Sequence, residues 1–192
     1  MKSQMKFLGY ILHLIIKPSG GWERVGERNY PSAEWLRTGF FPLLALLAIS
    51  GFAKVFYGGN FTLSNALQYS IMEVVAYFAG LFISREVLTW IATNKIADKE
   101  AEAELTEKIS VFSILCMGIL VLIETVKNFA PIESTIFALL PFCVIIPISY
   151  SAYYFQNENT DRPFFYIIAW ISFLTTTMVI YAVFDFMLSP HF

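Results

Sequence analysis

Five apolar runs divide the chain, at 39–57, 66–92, 109–129, 132–155 and 164–188. A helix rises ~1.5 Å per residue, so ~20 apolar residues cross the hydrocarbon, and runs near or above ~18 residues read as membrane spans. The 192 residues are 57% hydrophobic and only 15% charged, more apolar surface than a water-soluble domain of this length could hide. Hydrocarbon leaves no solvent partner for the backbone, so each span must bond to itself as a helix. The expected fold class is an all-α membrane protein of five transmembrane helices. The linkers fall at 58–65, 93–108, the Ala130-Pro131 break and 156–163, and no internal repeat is visible. Five spans do not divide into two equal inverted halves.

Ahead of these runs lies a different kind of segment. Residues 4–16 are too short to span, and Lys2, Lys6, His13 and Lys17 fall with Gly9 on one side of a helical wheel. Phe7, Leu8, Ile11, Leu12 and Ile15 cover the rest, which predicts an amphipathic helix lying in the membrane interface. The competing expectation is a helix packed under the bundle. Lys17-Pro18 ends that helix, because proline disfavours helical geometry in the residue before it. Gly20-Gly21 then predicts a sharp turn, with Trp22 at headgroup level and Glu23 and Arg24 in water. Residues 22–38 read as a polar juxtamembrane stretch. The chain is therefore divided into an N-terminal cytoplasmic or interfacial segment, 1–38, and a five-span domain, 39–192. No signal peptide is expected, since no small-x-small cleavage site follows the first apolar stretch.

Lysine and arginine set the expected orientation. With the N-terminus inside, Lys2, Lys6, Lys17, Arg24, Arg28, Arg37, Arg85, Lys95, Lys99, Lys108 and Arg162 lie on the cytoplasmic side. Only Lys54 and Lys127 lie outside. The C-terminus is then external, and a bacterial inner membrane is the expected location. Asn60-Phe61-Thr62 matches a glycosylation sequon, a tripeptide common by chance.

The stretch Ile16-Lys17-Pro18, then Trp22-Glu23, a polar segment, and Phe41-Pro42-Leu43 opening the first span resembles prokaryotic members of the Yip family, relatives of the Ypt/Rab-interacting membrane proteins. The resemblance rests on Pro18, Trp22, Glu23 and Pro42 and extends over the chain as architecture. It implies a cytoplasmic N-terminus, five spans and a role as an interaction protein. Eukaryotic members bind prenylated Rab GTPases in vesicle traffic, but their Asp-Leu-Tyr-Gly-Pro motif is absent here.

Ionisable residues inside spans are costly and mark candidate sites. Lys54, Glu73, Glu124, Lys127 and Asp185 all fall in one outer layer; at ~1.5 Å per residue Glu124 sits roughly 8 Å and Glu73 roughly 10 Å from the midplane. If each lysine pairs with one carboxylate, one carboxylate remains to be protonated, bind a cation or reach water. That makes the layer a candidate ion or proton site. The competing reading is a set of interhelical ion pairs, with Lys127 and Asp185 snorkelling. Trp22, Arg24 and Arg85 are candidate lipid or partner contacts, Arg85 through anionic headgroups or by snorkelling alone. Pro141 and Pro147 predict kinks in the fourth span. Thr175-Thr176-Thr177 and the Gly80/Ser84 pair predict close helix packing. The 95–108 linker reads as a solvated helical extension with a Glu104–Lys108 pair.

His13 and His191 lie on opposite sides by this topology, and no G-x-S-x-G, H-E-x-x-H, Walker A or Cys/His cluster occurs. No catalysis, cofactor or metal is expected. Net charge −2 offers no nucleic-acid footprint. The expected partners are the lipid bilayer and a membrane or cytoplasmic protein, with a homo-oligomer left open. The expected function is an integral membrane organising protein of the Yip type; the alternative is a small transporter or channel-like protein using the carboxylate layer.

Overall fold

The computed structural model describes residues 2–28, 30–56, 62–94, 98–129, 139–155 and 162–188, without the side chains of 2–5, 153, 162, 185 and 188. All elements formed by the described residues are helical: α1 (Lys2–Ile16), α2 (Pro18–Arg28), α3 (Ser32–Phe56), α4 (Leu63–Thr93), α5 (Lys99–Phe129), α6 (Ile145–Tyr150) and α7 (Arg162–Leu188). Four of them, α3, α4, α5 and α7, are long and apolar enough to cross a membrane. The expected fourth span behaves differently. Its described part opens with a 3₁₀ turn at Leu140–Val144, continues as the short α6 and closes with a second 3₁₀ turn at Ser151–Tyr153. The apolar helix there covers Leu140–Tyr150, short of a membrane crossing, and 130–138 lie outside the described residues. The two prolines account for the irregularity, since each removes a backbone donor and crowds the preceding turn.

α5 is the central helix. Every residue from Ile109 to Val121 is buried, on all sides of the helix, the pattern of a helix with no solvent face. α4 buries a single stripe at three- and four-residue steps: Ala66, Ser70, Glu73, Tyr77, Gly80, Ser84, Leu88 and Ala92. Its other faces carry exposed Ile71, Val75, Phe78 and Trp90, apolar side chains suited to lipid. At Gly80 the expected close approach occurs: an added Cβ would lie 3.1 Å from Thr177 Oγ1 on α7 and 3.3 Å from Met117 Cε on α5.

The start of α3 is fixed by Glu107, which accepts hydrogen bonds from Ser32 N and from Ser32 Oγ (2.9 Å); a carboxylate suits the donor-rich end of a helix. Asp98 plays a similar part for α5, accepting from Glu100 N at 3.0 Å, and the Glu104–Lys108 pair closes at 3.0 Å. The linker expectation thus holds for 98–108, while 95–97 lie outside the described residues.

The N-terminal segment departs most from its expectation. α1 has three faces rather than two. Phe7, Ile11 and Leu14 are buried against the bundle, Leu12, Ile15 and Ile16 are exposed, and Lys6 and His13 form the polar side. An added Cβ at Gly118 would lie 2.9 Å from Ile11 Cδ1 and 3.2 Å from Phe7 Cζ, so α1 seats directly on α5. The chain breaks at Lys17, as proline at the next position requires, but Gly20-Gly21 is not a turn. Both glycines lie inside α2, and Gly21 lets α2 fold back, since an added Cβ there would sit 3.1 Å from Leu14 Cα. Trp22 is fully buried in the protein. Its indole N–H donates to Pro147 O at 2.7 Å. Ser151 N–H turns to Ile148 O, a three-residue step, and the Pro147 carbonyl is met by the indole. Phe7, Trp22, Val25 and Trp35 belong to the same core as Phe112 on α5 and Phe173 on α7.

Candidate functional site

The C-terminal ends of α3 and α5 and the N-terminal end of α4 meet in a polar cluster inside an otherwise apolar bundle. α5 supplies Glu124, Lys127 and Asn128, three and four residues apart and therefore on one face. Lys127 Nζ lies 2.7 Å from Glu124 Oε2. Asn128 reaches the neighbouring helices. Its amide nitrogen donates to both oxygens of Glu73 on α4, each at 2.9 Å, and lies 3.1 Å from Ser50 Oγ on α3. Ser50 in turn donates to Leu47 O at 2.7 Å. Glu73, Asn128 and Ser50 are all fully buried. Tyr69, one turn before Glu73, also hydrogen-bonds that carboxylate. An added Cβ at Gly51 would lie 3.5 Å from Glu73 Oε2, so the backbone of α3 closes directly over it.

The structure therefore brings Glu73, Glu124, Lys54 and Lys127 into electrostatic reach of one another. The pairing is not the expected one. Lys127 does take Glu124, but Lys54 takes no carboxylate among the described residues; its Nζ sits 3.5 Å from the centre of the Tyr69 ring, a cation–π contact. Glu73 is held by neutral donors, and charge buried that way is costly. Asp185 lies in the last turn of α7, and its side chain falls outside the described residues. Asn128, Ser50 and Tyr69 are uncharged and do not stand out in the sequence as the ionisable residues do. The available signal for Asn128 was an amide four residues beyond Glu124 in an apolar helix, where a polar side chain must find an internal partner.

Beside this cluster lies a cavity of ≈350 Å³ between α4, α5, α7 and the 139–155 segment. Glu124 and Lys127 reach its wall, which is otherwise mainly aromatic and aliphatic, with Tyr77, Phe142, Phe173 and Tyr181 among its rings. The Tyr181 hydroxyl is buried and has no hydrogen-bond partner among the described residues. Among the described residues no group of three or more His, Cys, Asp or Glu could hold a metal ion.

The remaining candidates lie elsewhere. Arg85 pairs with its neighbour Glu86 and sits 5.3 Å above the Phe82 ring, half-buried near the opposite end of α4. Arg24 is exposed and lines a polar groove with Lys6, His13, Glu27 and Arg28 between α1 and α2. Trp22, fully buried, touches neither lipid nor an outside partner; its neighbours are Phe112 at 5.6 Å and Tyr154 at 5.4 Å between ring centres.

No protein-family model, no curated protein and no solved structure matches the chain.

Proposed function

We propose that this chain is an integral membrane interaction protein of the Yip type, with five spans, a cytoplasmic N-terminus and an external C-terminus, in a bacterial inner membrane. The observation that carries the reading is the attachment of the polar N-terminal segment to the bundle. Trp22 bonds to Pro147, Ser32 bonds to Glu107, and Phe7, Tyr10 and Tyr30 pack around Trp35 with ring centres 5.8, 5.0 and 5.8 Å away. A segment held in this way presents Lys6, His13, Arg24 and Arg28 as a fixed basic groove beside Glu27. A rigid charged face loses little conformational entropy on docking, which suits recruitment of an acidic partner protein. On this reading no catalytic step belongs to the chain.

The test is photo-cross-linking in native membranes from a benzoylphenylalanine placed at Glu27. The reading predicts a discrete adduct with another protein that is lost in the Arg24→Glu/Arg28→Glu double variant. Adducts with this chain alone, or adducts unaffected by the charge reversal, contradict it.

A second reading is favoured by the burial of Glu73 among neutral donors and by the cavity at Glu124. It makes Glu73, Glu124 and Asp185, with Lys54 and Lys127, a proton or cation site of a small transporter. Flux in liposomes that is the same for wild type, Glu73→Gln and Glu124→Gln removes this reading.

A further inference from the structure

We propose that the cavity between α4, α5, α7 and the 139–155 segment holds one acyl tail of a membrane phospholipid, which enters sideways between Phe142 and Met178. This goes beyond the interaction role and rests on different side chains. The cavity, at ≈350 Å³, falls within the range of small-molecule sites. It is open on one side. Phe142 on the 139–155 segment and Met178 on α7 both line it and are 45% and 65% exposed, so they form its rim.

Three observations select the occupant. The first is the wall, whose polar side chains are engaged within the protein. Thr177 Oγ1 donates to Phe173 O at 2.9 Å, and Lys127 Nζ lies 2.7 Å from Glu124 Oε2. Tyr77 hydrogen-bonds Glu124 and Tyr69 hydrogen-bonds Glu73. The Tyr181 hydroxyl oxygen has almost no accessible surface. An enclosed water needs roughly two to four polar partners, and this wall turns few toward the space. The second is what surrounds the rim. Ile145 and Ile146 follow Phe142 by three and four residues, Ile171 precedes Met178 by seven, and all three are exposed. α7 is long and apolar enough to cross a membrane, so the medium at the rim is lipid tails. The third is the space itself. A void forfeits the dispersion contacts of its lining, and an apolar void stays dry and takes apolar guests. A tail restores those contacts and brings no polar atom that needs a partner. A cavity filled in this way keeps water from Glu124, so the inference runs against the transporter reading.

The test uses the full chain in lipid nanodiscs and a phosphatidylcholine with a diazirine midway along one tail, photolysed and mapped by mass spectrometry. Leu120 and Thr177 line the cavity and are only 3% and 7% exposed, out of reach of lipid lying against the outside of the bundle. Wild type is expected to carry adducts on both. Leu120→Trp fills the cavity and is expected to lower the Thr177 adduct about tenfold or more, since a filled space admits no tail. Adducts at Met187, which is 70% exposed on α7, are expected to stay unchanged in that variant. If Leu120→Trp does not fold, the wild-type map decides alone. The proposal is overturned by wild-type adducts confined to outward side chains such as Met178 and Met187. It is equally overturned by hydroxyl-radical oxidation of Tyr77 from water in the cavity, or by a Thr177 adduct as strong in folded Leu120→Trp as in wild type.

Discussion

Two side chains show how single residues tie this bundle together. Trp22 was legible in the sequence as an unusual residue after a helix break, but its position was not. A tryptophan beside charged neighbours suits the headgroup layer, and composition alone cannot separate that from an indole whose N–H meets a carbonyl left by a proline-disturbed helix 125 positions away. Trp22→Phe removes the donor and leaves the Pro147 oxygen buried, so we expect a loss of about 1–3 kcal/mol, read as a lower melting temperature in nanodiscs. Trp90→Phe is the control: Trp90 is 69% exposed on the lipid side of α4, and its loss is expected to leave the melting temperature unchanged. Asn128 is the second case. The charged residues of the cluster are legible in the sequence, because charges in apolar runs stand out, whereas the amide that joins α3, α4 and α5 is not. Asn128→Leu strands Glu73 with one donor fewer and is expected to cost about 1–3 kcal/mol by the same measurement. An unchanged melting temperature would mean that Glu73 is satisfied without it.

At the scale of elements, periodicity distinguished apolar from polar faces but not lipid from protein. Of the residues the wheel of α1 groups on one side, Lys6, Gly9 and His13 line one groove, while Lys17 lies beyond the end of the helix and the side chain of Lys2 lies outside the described residues. The wheel could not say that the apolar remainder splits into a side against α5 and a side away from the bundle, because both demand the same residue types. The two sides are separable by mutation. Ile11→Ala opens a hole against Gly118 and is expected to cost about 2–5 kcal/mol, while Leu12→Ala on the exposed side is expected to leave bundle stability within about 0.5 kcal/mol. Equal effects at the two positions would contradict the three-faced helix. The small residues of α4 were more legible, because a glycine in a span has few other uses than close approach. Gly80→Leu is expected to push α7 away at Thr177 and to cost about 1–3 kcal/mol, measurable as a fall in unfolding midpoint.

For the whole molecule, hydropathy was enough to announce a helical membrane protein, and the long helices bear that out. It was not enough to locate the centre. α5 and α7 are both strongly apolar, yet the most apolar stretch of α5 is 83% buried and that of α7 only 22%. Nor did hydropathy reveal that the polar N-terminal segment shares one core with the spans. That arrangement is the basis of the proposed role, since a docking face must be held still to be selective. Hydrogen–deuterium exchange of the full chain in nanodiscs tests it most directly. Amides of residues 19–25 are expected to exchange as slowly as those of 109–121, with the Trp22→Phe variant releasing the former and sparing the latter. Fast exchange across 19–25 in the wild-type protein, as for a helix resting loosely on a membrane surface, would contradict it.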